Sequence, residues 1–416
     1  MTSQTNPSDA LAGQAPPDDP TYGEIVWGQF VKRKEAVGSL LGLALLLLLA
    51  IYAPLLASNK PFLWQVDGEG LSSPWLKALF DRNFFENGVD IFFNTLLVVV
   101  TLVGPVVGAV FWKTRHSSRK PRNRSRRRAL LAAGALFMVV WTGVTLFPQQ
   151  SQKVVYPRLE QSLQEEGKAV MAVYAPIPFS SRDGDLDMVR LPVSLKHFLG
   201  TDNSGRDVFT RLVFGTRISL TIGVFAVALY ITFGTFMGAL AGFYGGWVDM
   251  AIQRVIEVVI CIPSLFLILT VASFIEERSI FHIMIIIAAV AWTSPARLVR
   301  AEFLRLRNLD FVAAARAAGY RESTIIFKEI LPNALGPVLV AATFGVARAI
   351  LTESTMSFLG LGDITVPSWG QILNTGRGTG IWVMILAPGF AIFLTVGLLN
   401  LMGEGVRDAL DPKLRK

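Results

Sequence analysis

Cysteine and histidine are nearly absent: the chain has one of the first, Cys261, and three of the second. A lone cysteine excludes an intramolecular disulfide, and three scattered histidines leave no ligand spacing for a metal. Cys261 lies inside an apolar run, where a small thiol serves as a packing or lipid-facing residue. No GxxxxGKS/T loop is present to cradle a nucleotide's phosphates. Nor is there a Ser/His/Asp or Cys/His grouping of the kind nucleophilic catalysis uses, which argues against a membrane-bound enzyme. Charge is also scarce. Only 17% of the 416 residues are Asp, Glu, Lys or Arg, against 52% hydrophobic, and mean hydropathy is +0.48. A soluble protein of this length needs far more charge to cover its surface. The class is therefore an all-α, polytopic membrane protein.

The formal net charge of +8 is concentrated in one place. Residues 113–128, KTRHSSRKPRNRSRRR, carry nine basic side chains and no acidic one, which leaves the rest of the chain near neutral. A basic run can bind nucleic acid. This one lies between two apolar spans and has no aromatic residue on which a base could stack, so it reads as a cytoplasmic loop obeying the positive-inside rule. Its partner is then membrane lipid, through anionic headgroups, and not nucleic acid.

Residues 1–36 are polar, and the first two dozen have the composition of a disordered tail. The run at 37–57 follows Lys32, Arg33 and Lys34 and is longer than a signal-peptide core, so it reads as an uncleaved anchor. Further apolar spans fall at 91–112, 129–147, 215–242, 250–275, 280–298, 334–358 and 381–402, with a kink expected at Pro263. Eight spans return the C-terminus to the side of the N-terminus. The basic clusters at 32–34, 113–128, 297–328 and 407–416 then all lie on the cytoplasmic side. Gly234, Gly238 and Gly242 recur at four-residue spacing, which fits either close helix packing or a glycine-tolerant membrane helix.

Ionisable residues inside spans are costly and point to function unless paired. Glu257 lies close to Arg254 on one helix face, which predicts a local ion pair. Arg348 and Glu353 are ~500° apart around their helix, so they do not stack, and both must face protein or a cavity. They are candidates for a translocation path. Residues 200–220, GTDNSGRDVFTRLVFGTRISL, place Thr201, Asp202, Arg206 and Asp207 where they can cap and pair at a membrane edge.

Between the sixth and seventh spans lies a polar, basic stretch, residues 310–333, DFVAAARAAGYRESTIIFKEILPN. Asp310 is the expected N-cap of a short alanine-rich helix over 311–318, and Gly319 supplies the left-handed residue that ends it. A second short helix follows with Ser323 as its expected cap, and Pro332 marks the turn back to the membrane. Two helical turns span only about 12 Å, a length suited to docking in a groove on another protein. The stretch resembles the EAA coupling loop of ABC-importer permeases. Ala314, Ala315, Gly319, Leu331 and Pro332 fall in place; Ala313 stands where that pattern carries glutamate, a departure that bears on the acidic contact to the ATPase.

The GTD segment, FYGGWVD at 243–249 and SFLGLGDITVPSWGQILNTG at 357–376 resemble elements of dipeptide and oligopeptide permeases in the family's own order. NKPFLWQVDG and YAPIPF are similar to the branch associated with microcin C uptake. The resemblance implies a permease core at 215–416, with the coupling loop within 301–333 and an ATPase-coupling role for Asp310, Ala313, Ala314, Ala315, Gly319, Leu331 and Pro332. Ahead of the core come a cytoplasmic N-terminus (1–36), an anchor (37–57), an external segment (58–90), an inserted hairpin (91–147) and a second external segment with core entry (148–214). It also implies a bacterial cytoplasmic (inner) membrane location with both termini cytoplasmic. The implied partners are a homologous second permease, separate cytoplasmic ATPase subunits that use ATP and Mg, and an external substrate-binding protein. This chain itself would hold no cofactor and catalyse nothing. The alternative is an ion-gradient-driven secondary transporter or channel, which calls for a chain of intramembrane carboxylates or an inverted repeat. The sequence has neither.

Overall fold

The computed structural model describes residues 22–411 apart from 69, 86, 116–118, 152 and 153. The expected disordered start and the charged end at Lys413, Arg415 and Lys416 lie outside the described residues. Long apolar runs can satisfy their backbone in lipid only as helices, and helices dominate. The chain enters through α1 (Tyr22–Lys32) and α2 (Lys34–Leu56), followed by the short α3 (Pro74–Ala78). The hairpin is α4 (Gly88–Lys113) and α5 (Arg119–Leu146), and α6 (Tyr156–Glu165) lies outside it. Next come α7 (Val208–Tyr244), α8 (Gly246–Cys261), α9 (Ser264–Ser273), α10 (Ile280–Ala291) and α11 (Thr293–Leu306). The last are α12 (Asp310–Ala317), α13 (Glu322–Thr324), α14 (Leu331–Phe358), α15 (Trp369–Thr379) and α16 (Val383–Leu410).

Six helices are long and apolar enough to cross a membrane, or up to eight if each of two bent pairs counts as one span. The expected kink at Pro263 is a sharper break: α8 and α9 meet at 83°. Proline disfavours the helical conformation at the residue before it, and Ile262 is extended, with φ −97° and ψ 129°. A second bend, of 43° between α10 and α11, falls in the turn ahead of Pro295, whose ring crowds the Ala291 carbonyl; no kink was expected there from the sequence.

The helix α7 is the axis of the fold. Its entry is built by the GTD segment, with Asp207 as N-cap accepting from the Thr210 amide at 2.7 Å while its other oxygen meets His197 Nδ1 at 2.9 Å. Asp202 accepts from the amides of Ser204 and Arg206 and from Arg206 Nε. Further along, the glycine stripe resolves in favour of close packing. A Cβ on Gly234 would stand 2.6 Å from Trp292 O, one on Gly238 2.4 Å from Ala296 O, and one on Gly242 2.5 Å from Phe303 Cβ. The backbone of α11 thus lies directly on that of α7.

Two joints were not foreseen. Arg217 of α7 is fully buried, and its guanidinium donates to Ala50 O (2.7 Å), Ile51 O (3.2 Å) and the Asp90 carboxylate on α4 (3.2 Å). Arg182 reaches the other Asp90 oxygen at 3.2 Å. The first anchor, the hairpin and the core are therefore pinned at one point. Between the long apolar helices, β1 (Leu63–Val66) pairs antiparallel with β2 (Val170–Val173), Leu63 opposite Val173. This small ribbon joins the segments before and after the hairpin into one cap, helped by Trp64 packing edge-on to Tyr156.

Candidate functional site

Residues 310–333 form a docking knob held by one face. The buried Val312, with Phe311 and Ala315, packs into a cluster containing Phe303, Leu306, Ile325 and Ile330. Asp310, Ala313, Ala314, Arg316, Ala317, Ala318, Gly319 and Tyr320 lie exposed. That leaves one smooth face of methyl groups flanked by charge. The end of α12 has the expected geometry: Gly319 has φ +78°, its amide donates to Arg316 O, and the Tyr320 amide donates to Ala315 O.

Three local expectations are corrected. Asp310 is not the cap of α12 but its first helical residue; Leu309, extended at ψ 153°, takes the cap position and offers no side-chain acceptor. Asp310 still favours the helix by placing a negative charge at its positive end. Likewise Arg321, not Ser323, precedes α13. Pro332 does not turn the chain. Residues 322–358 run on as a single helix, and a π-helical stretch at Ile325–Ile330 widens the coil just ahead of Pro332. There the Leu331 amide donates back five residues to Ile326 O, and proline in the next turn's first positions has no amide left to satisfy.

The knob is wired to the spans by charge. Arg307 donates to Gly242 O and Phe243 O at the C-terminal end of α7, at 2.9 and 3.2 Å. Arg300 forks onto Asp249 of FYGGWVD at 2.5 and 2.6 Å, tying α11 to α8. Phe243 and Asp249 lie in the FYGGWVD motif, but their pairing with Arg307 and Arg300 left no sequence signal.

Arg348 and Glu353 separate. Arg348 is exposed and lines a cavity of about 330 Å³ with Tyr230, Ser294, Gly345 and Thr352, between α7, α9, α10, α11 and α14. It makes no ion pair among the described residues. Glu353 does not line that cavity. It is fully buried, accepting from Ser357 Oγ at 2.7 Å and Ser354 Oγ at 3.4 Å, beside the Ser368 that caps α15. The SFLGLG…PSWG element folds around it: Trp369 is buried and donates to Leu212 O at 3.2 Å, and Gly370 lies on Ser354 and Ser357. Glu353→Gln keeps one acceptor oxygen for these hydroxyls and offers an amide donor to the serine whose hydroxyl can turn to accept, and is expected to leave thermal stability near wild type. Glu353→Leu strands them and is expected to cost about 1–3 kcal/mol, read as a lower unfolding temperature in detergent. Glu257 pairs with Arg254 at 2.6 Å, as its position predicts.

Residues 234–416 match the family model for the binding-protein-dependent transport system inner membrane component, and residues 21–74 match that for the N-terminal TM domain of oligopeptide transport permease C. Neither covers the hairpin. The dipeptide transport system permease protein DppC of Alkalihalophilus pseudofirmus is 40% identical over 253 residues, 59% of this chain and 82% of the relative. The oligopeptide transport system permease protein OppC of Haemophilus influenzae is 41% identical over 57% of this chain and 78% of its own length. The glutathione transport system permease protein GsiD of Pectobacterium atrosepticum is 39% identical over 56% and 77% respectively.

Proposed function

The chain belongs to the family of binding-protein-dependent transport system inner membrane components, and on that premise we propose that it is a peptide-translocating permease subunit of an ABC importer, driven by separate ATPase subunits. The observation that carries the coupling role is the half-bare α12: one face is locked to the spans and the other offers only small side chains. A groove on an ATPase accepts such a face with little steric demand. Ala313 leaves the contact without its customary carboxylate, so recognition rests on shape and on Arg316 and Arg321.

Motion has a route inward. The helix 322–358 is about 55 Å long at 1.5 Å per residue. It begins beside α12 and carries Arg348 at the cavity. A push on α12 by closing ATPases therefore tilts the element that bears the path-lining cation, which suits alternating access. An exposed guanidinium there would meet a peptide's terminal carboxylate. In this reading both termini are cytoplasmic and the ribbon-bearing cap faces the binding protein. A homologous permease completes the pathway, and ATP and Mg stay with the ATPase. The relatives' named solutes are dipeptide, oligopeptide and glutathione, all peptidic.

Gly319→Val tests this. A β-branched residue at φ +78° is strained, so the end of α12 must unwind. ATP-dependent peptide uptake into vesicles is expected to fall to background while the protein still inserts and purifies at wild-type yield. Unchanged uptake would remove the coupling role from this loop.

A further inference from the structure

The hairpin has an asymmetry along its length. Every buried residue of α4 lies between Val89 and Val99, and from Thr101 to Lys113 none is buried. The Tyr52 hydroxyl meets Thr101 at 3.2 Å as the last tie to α2. Beyond it α4 touches α5, and the far side of that pair exposes Leu102, Val106 and Trp112. Over the same depth the antiparallel α2 exposes Leu41, Leu45 and Leu48. No residue of α5 from 122 to 146 is buried. The hairpin is thus fastened to the body in its outer half, through Asp90 and through Phe92 against Phe225, and stands away from it in its inner half.

At the inner tip the charge is fixed in place. Arg126 staples the two helices, donating to Thr114 Oγ1 (3.3 Å) and Phe111 O (3.1 Å) with its guanidinium 4.7 Å from the Phe111 ring. That leaves Arg122, Arg124, Arg127 and Arg128, none in an ion pair among the described residues, on a stretch with no acid to neutralise them. An exposed apolar band that ends at unpaired guanidinium groups matches one kind of molecule, an amphiphile with an anionic head.

We propose that the inner half of the hairpin is a binding site for an anionic phospholipid of the cytoplasmic leaflet. Its acyl chains lie along α4 beside Leu102 and Val106, and its phosphate sits in the basic belt of Arg122, Arg124, Arg127 and Arg128. The assignment rests on the orientation proposed above.

The test uses the full chain purified into nanodiscs of phosphatidylcholine mixed with phosphatidylglycerol, with retained lipid counted by native mass spectrometry. The wild type is expected to keep phosphatidylglycerol in preference to phosphatidylcholine. The variant R122Q/R124Q/R127Q/R128Q is expected to lose that preference by at least about tenfold. A control with external charges removed, R158Q/K168Q, is expected to keep it. Wild-type binding is also expected to weaken in roughly 1 M salt, where screening acts within about 3 Å; this holds even if the quadruple variant fails to insert. Equal retention of both lipids, or undiminished preference in an inserted quadruple variant, overturns the site. So does co-purifying nucleic acid that displaces the lipid. Labelling of K113C, in a C261A background, by a membrane-impermeant reagent in intact cells would instead overturn the orientation, and separates the two failures.

Discussion

Replacing Gly238 with leucine is expected to abolish the folded protein. The hydrogen it replaces points at the α11 backbone, where even a Cβ would lie 2.4 Å from Ala296 O and 2.9 Å from Val299 Cβ. Neither atom can swing aside as a flexible side chain could. The helices α7 and α11 must separate, which also strips Gly234 and Gly242 of their contacts and loosens the Arg307 bonds to Gly242 and Phe243. Overpacking of this kind costs at least about 3 kcal/mol when backbone is the obstacle. The outcome is read as loss of the monodisperse peak in detergent. Gly397→Ala, at a helical glycine with nothing within 4 Å, is the control and is expected to be neutral or slightly stabilising.

The second large effect is at the joint of anchor, hairpin and core. Asp90→Ala leaves the Arg217 guanidinium with only two carbonyls in a site closed to water, and takes a partner from Arg182. Breaking a buried pair by removing one member costs about 3–5 kcal/mol. Removing both charges costs much less, because the desolvation penalty goes with the attraction. The double variant D90N/R217M is therefore expected to recover most of the stability lost in Asp90→Ala. A drop in unfolding temperature for the single variant and its partial rescue in the double would identify the pair as what holds the hairpin. An Asp90→Ala protein as stable as wild type would assign that task to the Phe92 packing instead.

These two joints differ in how far the sequence foretells them. The glycine stripe was readable, because a four-residue period on one helix is local; what it packed against was not. Arg217 and Asp90 are separated by 127 positions. Hydropathy and charge patterning act over windows too short to pair them, so Arg217 reads as one letter of a motif and Asp90 as the end of an external segment. The two four-residue strands of the cap have the same problem, since Leu63 and Val173 find each other across the whole hairpin.

The spans emerged well, because membrane partition is a property of each segment on its own. Finer features failed for a local reason. The caps at Asp310 and Ser323 were assigned by side-chain chemistry, whereas the chain enters helical geometry at Leu309 and Arg321. Pro332 read as a stop because its effect on a standard α-helix is to break it. The π-helical stretch before it absorbs the missing amide, and that adjustment depends on Ile325, Ile326 and Ile330 being drawn into the cluster around Phe303. Gly319, by contrast, was legible to the atom, since the left-handed residue after a helix is chosen by backbone sterics alone. Glu353 was visible as a charge in an apolar run, but its serine cage comes from a loop further along the chain.

The central claim is that transport through this chain is driven by a separate ATPase acting on the bare face of α12. The measurement that tests it most directly is peptide uptake into sealed vesicles containing this chain and its co-purifying subunits. It is run with ATP, with ATP withheld, and with the proton gradient collapsed by an ionophore. The account predicts uptake that requires ATP and the external binding protein, survives the ionophore and disappears in Gly319→Val. Uptake that persists without ATP and vanishes with the gradient would contradict it, and would make this chain a gradient-driven carrier.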